Sequence, residues 1–180
     1  MEKKSQKLLL KLARKTIESY FKKTNYDLEL IPPEFKEKRG VFVTLTLNGE
    51  LKGCIGYIEP IKTIYQAVKE NALSAAFNDP RFNPVTEPEL AKLRIEISIL
   101  SQPELLKYSS PVDLLQKLKI GIDGVILRNR GKSATFLPQV WEQLPDKVVF
   151  LEHLSRKAGL NKDEWKGAEI KTYQVEYFEE

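Results

Sequence analysis

The stretch LKGCIGYI, residues 51–58, holds the only cysteine of the chain. Cys54 lies between Gly53 and Ile55, and Gly56 follows. A nucleophilic cysteine needs a cation, a base or a helix N-terminus nearby to favour its thiolate. Lys52 is two residues away, on the same side of an extended strand, and Arg81 is a second cation that the fold could bring near. The competing role for the thiol is burial as a small hydrophobe. Two glycines in a strand mark a bulge, a helix packed onto the strand, or a bare floor beneath a ligand.

Other residues carry weaker chemistry. Arg81, in NDPRFNPV, sits in a loop stiffened by Pro80 and Pro84, which suits a guanidinium that binds phosphate or carboxylate. Its ordinary alternatives are a pair with Asp79 or a cap on the carbonyls of the preceding helix. Glu96 shares the polar side of an isoleucine strand with Arg94 and Ser98; a general base there competes with a solvated or ion-paired glutamate. Ser133, Thr135 and Gln139, in KSATFLPQV, offer hydroxyls and an amide that could line a pocket. A Cys–His dyad would have to use His153, the only histidine, on a helix in FLEHLSRKAG. One Cys and one His fall short of a zinc site, so no metal is expected. The chain has no P-loop, no G-x-G-x-x-G after a strand and no G-x-S-x-G.

These residues need elements to hold them. Leu9, Leu12, Ala13, Ile17, Tyr20 and Phe21 predict an amphipathic helix over 5–22, with Ser5 as its cap and lysines opposite. Val41, Val43, Leu45 and Leu47 alternate as a strand, and Asn48-Gly49 is a hairpin turn. With a two-residue turn, Leu47 faces Glu50, Leu45 faces Lys52 and Val43 faces Cys54. That register puts Cys54 on the apolar side and Gly53 on the other, beside Thr44. A second helix spans 61–78 and stops before Pro80. Ile95, Ile97 and Ile99 mark another strand. A short helix starts at Pro111, a second hairpin turns at 129–132, a helix ends at Gly159, and IKTYQVEYF reads as one closing strand. Interspersed helices and hairpins predict an α+β fold with an antiparallel-rich sheet.

The 180 residues, 42% hydrophobic and 30% charged, suit one compact globular domain that needs no disulfide or metal. The net charge of +4 is too small to argue for nucleic acid by itself, although lysines crowd the first helix. Leu8-Leu9-Leu10 is cut by Lys11, too short for a signal peptide, and no run is long enough for a membrane span. A cytoplasmic protein without membrane contact is expected.

Five stretches taken in order resemble the AMMECR1 family: LKGCIG, AAFNDPRFNPVTEPEL, LRIEISILSQPE, GIDGVILRNRGKSATFLPQVWE and FLEHLSRKAGL with Trp165 beyond. The likeness runs from about residue 5 to residue 177. It departs at Lys52, where the family usually places arginine. The resemblance implies two unequal lobes around an antiparallel sheet with packed helices. It also implies a shared modification pathway with a Memo-like protein and a radical-SAM protein as partners, and similar folds bind nucleotides, nucleic acids or peptides. Two functions from different classes fit. In one, an anionic small molecule, nucleotide or RNA lies over Gly53–Gly56, with Cys54 as nucleophile or carrier, Lys52 and Arg81 as anion binders, and Thr135 and Gln139 as orienting groups. In the other, the same surface docks a peptide or partner protein without chemistry.

Overall fold

The computed structural model describes all residues from 1 to 180. Its elements in chain order are α1 (Lys3–Phe21), β1 (Val41–Leu47), β2 (Glu50–Tyr57), α2 (Ile64–Phe77), β3 (Leu93–Leu100), β4 (Glu104–Leu105), α3 (Pro111–Lys117), β5 (Gly124–Asn129), β6 (Lys132–Phe136), α4 (Lys147–Lys157), β7 (Glu169–Tyr173) and β8 (Val175–Glu179). The fold is α+β. Two antiparallel four-stranded sheets run in the orders β2-β1-β3-β8 and β4-β7-β5-β6. The chain divides into two units, Met1–Leu100 with Glu176–Glu180, and Ser101–Val175.

In the first unit one face of the sheet carries Val41, Val43, Leu45, Ile95 and Ile97, all fully buried. The stripe Leu9, Leu12, Ala13 and Ile17 of α1 and the small residues Ala67, Ala72, Ala75 and Ala76 of α2 complete this core. The sequence periodicity of α1 thus became its buried face, but Ser5 does not cap it. Glu2 takes the cap position without a side-chain bond, and the Ser5 hydroxyl donates to Glu34 at 2.7 Å. Helix α2 starts at a capping box between Thr63 and Gln66. The first hairpin turns at Asn48 and Gly49, with φ of 54° and 87°, as a type I′ turn requires.

The second unit has its own core, built from Val125, Leu127, Trp141, Phe150, Leu154, Trp165 and Ile170. Its hairpin turns at Arg130 and Gly131, both at positive φ. Helix α4 ends as the glycine signal predicts: Gly159 N–H donates to Arg156 O at 2.9 Å and Leu160 N–H to Ser155 O at 3.0 Å, a Schellman closure. The closing stretch IKTYQVEYF is two strands rather than one. It breaks at Gln174, whose N–H donates to the Ser101 hydroxyl and whose carbonyl accepts from Ser101 N–H. Strand β7 therefore belongs to the second sheet and β8 to the first.

Candidate functional site

The first hairpin departs from its expected register. It begins Leu47↔Glu50 and Thr46↔Leu51, then skips Lys52 and resumes Leu45↔Gly53, Thr44↔Cys54, Val43↔Ile55 and Phe42↔Gly56. Lys52 is the extra residue of a β-bulge, and a one-residue shift turns every later side chain to the other face. Without it, Lys52 would sit opposite the fully buried Leu45, where a charge is costly. The bulge moves Lys52 outward, and its Nζ lies 2.9 Å from Glu89 Oε1. Gly53 takes the buried place. A Cβ there would lie 2.0 Å from the Ala75 carbonyl oxygen, so the bare backbone lets α2 pack on β2.

The same shift puts Cys54 on the polar side of the sheet, not beside Val43. The thiol is partly exposed, and Thr44 Oγ1 donates to its sulfur at 3.3 Å. Thr44 is also paired with Glu96 on β3, so Cys54, Thr44 and Glu96 form one row across three strands. Burial and the nearby charge of Glu179 raise the Glu96 carboxyl above its ordinary range, while the Ser98 hydroxyl acts against them. Two residues along, Gly56 faces Phe42, whose ring carbons would lie 2.4 Å from an added Cβ. Both glycines therefore have packing partners, and only Gly56 belongs to the Cys54 side.

Strand β2 is an edge of its sheet, yet the outward N–H and C=O of Cys54 are both satisfied. The N–H donates to Asp79 Oδ2 at 2.9 Å, and the carbonyl accepts from Arg81 Nη2 at 3.0 Å. Arg81 in turn donates to Asp79 through its own N–H, Nε and Nη2 at 3.1, 2.9 and 2.7 Å. The DPR turn thus stands in for a neighbouring strand and blunts the edge. The guanidinium, with help from the Cys54 and Arg81 amides, holds the Asp79 carboxyl far below the usual carboxylate range. Asp79 is only 5% exposed. The Arg81 side chain is 56% exposed, its guanidinium lies over the Phe82 ring, and its Nη1 makes no hydrogen bond within the protein. Pairing with Asp79 is one of the three roles the sequence offers Arg81; its Nη1, without a hydrogen-bond partner, leaves anion binding open.

Thr135 and Gln139 belong to the second unit. Thr135 Oγ1 is 3.0 Å from the Tyr173 hydroxyl, which donates onward to Phe136 O at 3.1 Å. Burial pushes the Tyr173 phenol up to about 12. Gln139 lies exposed on the 3-10 turn Pro138–Glu142 and makes no hydrogen bond within the protein. His153 is exposed on α4 in that same unit, whereas Cys54 is in the first. No three His, Cys, Asp or Glu side chains gather as a metal site requires. No helix is long and apolar enough to cross a membrane. The sequence reading missed Thr44 as the thiol's partner, and it met Asp79 only as a companion for Arg81.

The family model for AMMECR1 matches residues 10–178. The chain belongs to the AMMECR1 family. Among its relatives, protein MK0488 of Methanopyrus kandleri is 42% identical, over 96% of this chain and 86% of its own length. Protein MJ0810 of Methanocaldococcus jannaschii is also 42% identical, over 95% of this chain and 88% of its own. The crystal structure of an uncharacterised protein, PH0010 from Pyrococcus horikoshii, superposes with a TM-score of 0.80 at 37% identity, covering 96% of this chain and 90% of that one. This AMMECR1 protein thus carries the CIG signature on a bulged edge strand held by a DPR turn.

Proposed function

We propose that this AMMECR1 protein holds an anionic small molecule, a nucleotide or a nucleotide of RNA over the Cys54 side of its first sheet, as one step of a modification pathway. One observation carries the reading: a partly exposed thiol accepts a hydrogen bond from Thr44, while a half-exposed guanidinium fixes the backbone of the same residue. Rigid backbone, a soft nucleophile and an unused Nη1 together suit an anion held beside a thiol. In this reading Arg81 meets the anion and Cys54 is the reacting or carrying thiol. Lys52, paired with Glu89, offers the anion little net charge. Gly53 and Gly56 set the backbone path. The Memo-like and radical-SAM partners implied by the family resemblance would supply and consume its ligand.

A second reading rests on Gly56. In an antiparallel ladder outward and inward groups alternate, so the N–H and C=O of Gly56 point away from β1 like those of Cys54. No group within the protein meets them. An extended peptide added at this edge would use them, as in β-strand addition.

Alkylation of the single thiol by iodoacetamide, read by intact mass, separates the two. An anion site gives labelling of the folded protein that nucleotide or short RNA slows about 10-fold, and that protection is lost in Arg81→Ala. Labelling unaffected by every nucleotide and RNA, in a folded sample, overturns the anion reading and leaves the peptide edge.

A further inference from the structure

The solvent face of α1 carries lysines from one end to the other, interrupted by the single acid Glu18. Lys4, Lys7, Lys11, Lys15 and Lys22 follow one another at spacings of three, four or seven residues, so they fall on one side of the helix. Lys4 to Lys22 spans 18 residues, roughly 27 Å of helix axis. Lys4, Lys7, Lys11 and Lys22 are exposed and have no acidic partner; only Lys15 is paired, with Glu18. Three carboxylates near the helix are engaged elsewhere: Glu34 with Ser5, Glu176 with the N-terminus and Gln6, and Glu180 with Arg14; Glu2, at the cap position, is exposed and pairs with none of these lysines.

This arrangement is unfavourable for the helix itself. The first turn of α1 contains no acidic residue, yet Lys3 and Lys4 stand at the positive end of the helix dipole. Lys3–Lys7, Lys7–Lys11 and Lys11–Lys15 are like-charge pairs four residues apart, which weaken a helix. A local conflict of this kind in an otherwise consistent element points to a role outside folding.

We infer that this face binds the phosphate backbone of a nucleic acid strand without reading its sequence. Lysine is depleted in protein–protein interfaces, and the stripe offers none of the aromatic or aliphatic anchors such an interface needs. A lipid surface would need an apolar face to enter it. Here Leu9, Leu12, Ala13 and Ile17 are fully buried in the core. A row of flexible ammonium groups with nothing apolar between them matches a line of phosphates. The surface is separate from the Cys54 site, so either can fail alone.

The test uses the full chain, a fluorescent 20-nucleotide single-stranded RNA, the same sequence as DNA duplex, and vesicles of neutral and anionic lipid. Four unpaired lysines predict a slope of log K against log salt of about −0.7 × 4, near −3, on the single strand. Affinity should then fall about 50-fold between 50 and 200 mM salt. The triple variant K4E/K7E/K11E should bind at least ~50-fold more weakly at low salt, with a slope near −0.7, since one unpaired stripe lysine remains. It should melt no lower than the parent, because the reversed charges suit the helix dipole. C54S should bind as the parent does. The inference is overturned if RNA and DNA do not bind, if the triple variant binds equally well, or if anionic vesicles bind more tightly than either nucleic acid.

Discussion

Replacing Asp79 by alanine should remove far more stability than its place in a loop would suggest. The carboxylate is 5% exposed and accepts four hydrogen bonds, two from backbone N–H groups and two from the guanidinium. Truncation leaves the Cys54 N–H on an edge strand without a partner, at about 1–3 kcal/mol for a buried donor. Loss of a charge-assisted bond adds about 1 kcal/mol once the exposure of Arg81 is discounted. A total near ~3 kcal/mol is expected for Asp79→Ala, and a clearly smaller loss for the exposed Arg81→Ala. The two share one cluster, so the double variant should cost about 1 kcal/mol less than the sum of the singles. Urea denaturation at pH 7 gives all three values.

The same carboxylate has a pH signature. Arg81 depresses its folded-state value below the unfolded ~3.9. Its contribution is therefore complete above the unfolded value and is lost as pH falls through that value toward the folded one. The stability of the parent should decline steeply from about pH 5 downward, and that of Asp79→Ala more gently. A loss below ~1 kcal/mol, additive singles, or parallel acid profiles would refute the clamp.

Three further outcomes follow from the geometry. Gly53→Ala forces a methyl to 2.0 Å from the Ala75 carbonyl oxygen, a backbone atom, and should cost about 2–3 kcal/mol by melting or denaturant titration; a loss under ~0.5 would mean that α2 is not seated on β2. Thr44→Val keeps the shape of a partly exposed residue while removing the only donor to the sulfur. It should leave the melting temperature within a few degrees yet slow Cys54 alkylation severalfold, and an unchanged rate would reduce Thr44 to packing. Because burial and Glu179 raise the Glu96 carboxyl, ionising it works against folding as pH rises past the unfolded ~4.3. Glu96→Gln should therefore melt above the parent at pH 7–8, with the gap closing below about pH 4, and a variant that melts lower at pH 7 would contradict the assigned cause.

The elements were legible because several local signals agreed at each. In α2 the helix period, the small apolar residues and the stop before Pro80 all point one way, and the helix runs 64–77. The turn at 48–49 follows from Asn48 and Gly49, which tolerate positive φ; at 130–131 only Gly131 does, and Arg130 adopts positive φ without that ease. The break at Gln174 left no such mark, because both halves of IKTYQVEYF alternate correctly as strands. What divides them is pairing with Ser101, 73 positions earlier in the chain. Strand β4 is two residues long and paired only to β7, too short for any period to show.

The candidate site failed in the sequence for a related reason, and the failure is instructive. Counting residues back from a correct turn gave the wrong face for Cys54, because the count assumed an unbroken ladder. Yet the bulge had a cause that lies in the sequence: a lysine at a position that pure alternation sends into the core beside Leu45, followed at once by a glycine. A chain resolves that conflict by looping the lysine out and sliding the glycine in. Gly53 is therefore less a floor for a ligand than the residue that makes the shift affordable, and the shift is what carries the thiol from the apolar side to Thr44. The lysine, the glycine and the cysteine of KGC act as one unit. A change at Lys52 to an apolar residue would remove only the charge from this conflict: the place beneath the Ala75 carbonyl still admits only a residue without a Cβ, so the bulge and the seat of Cys54 beside Thr44 should persist.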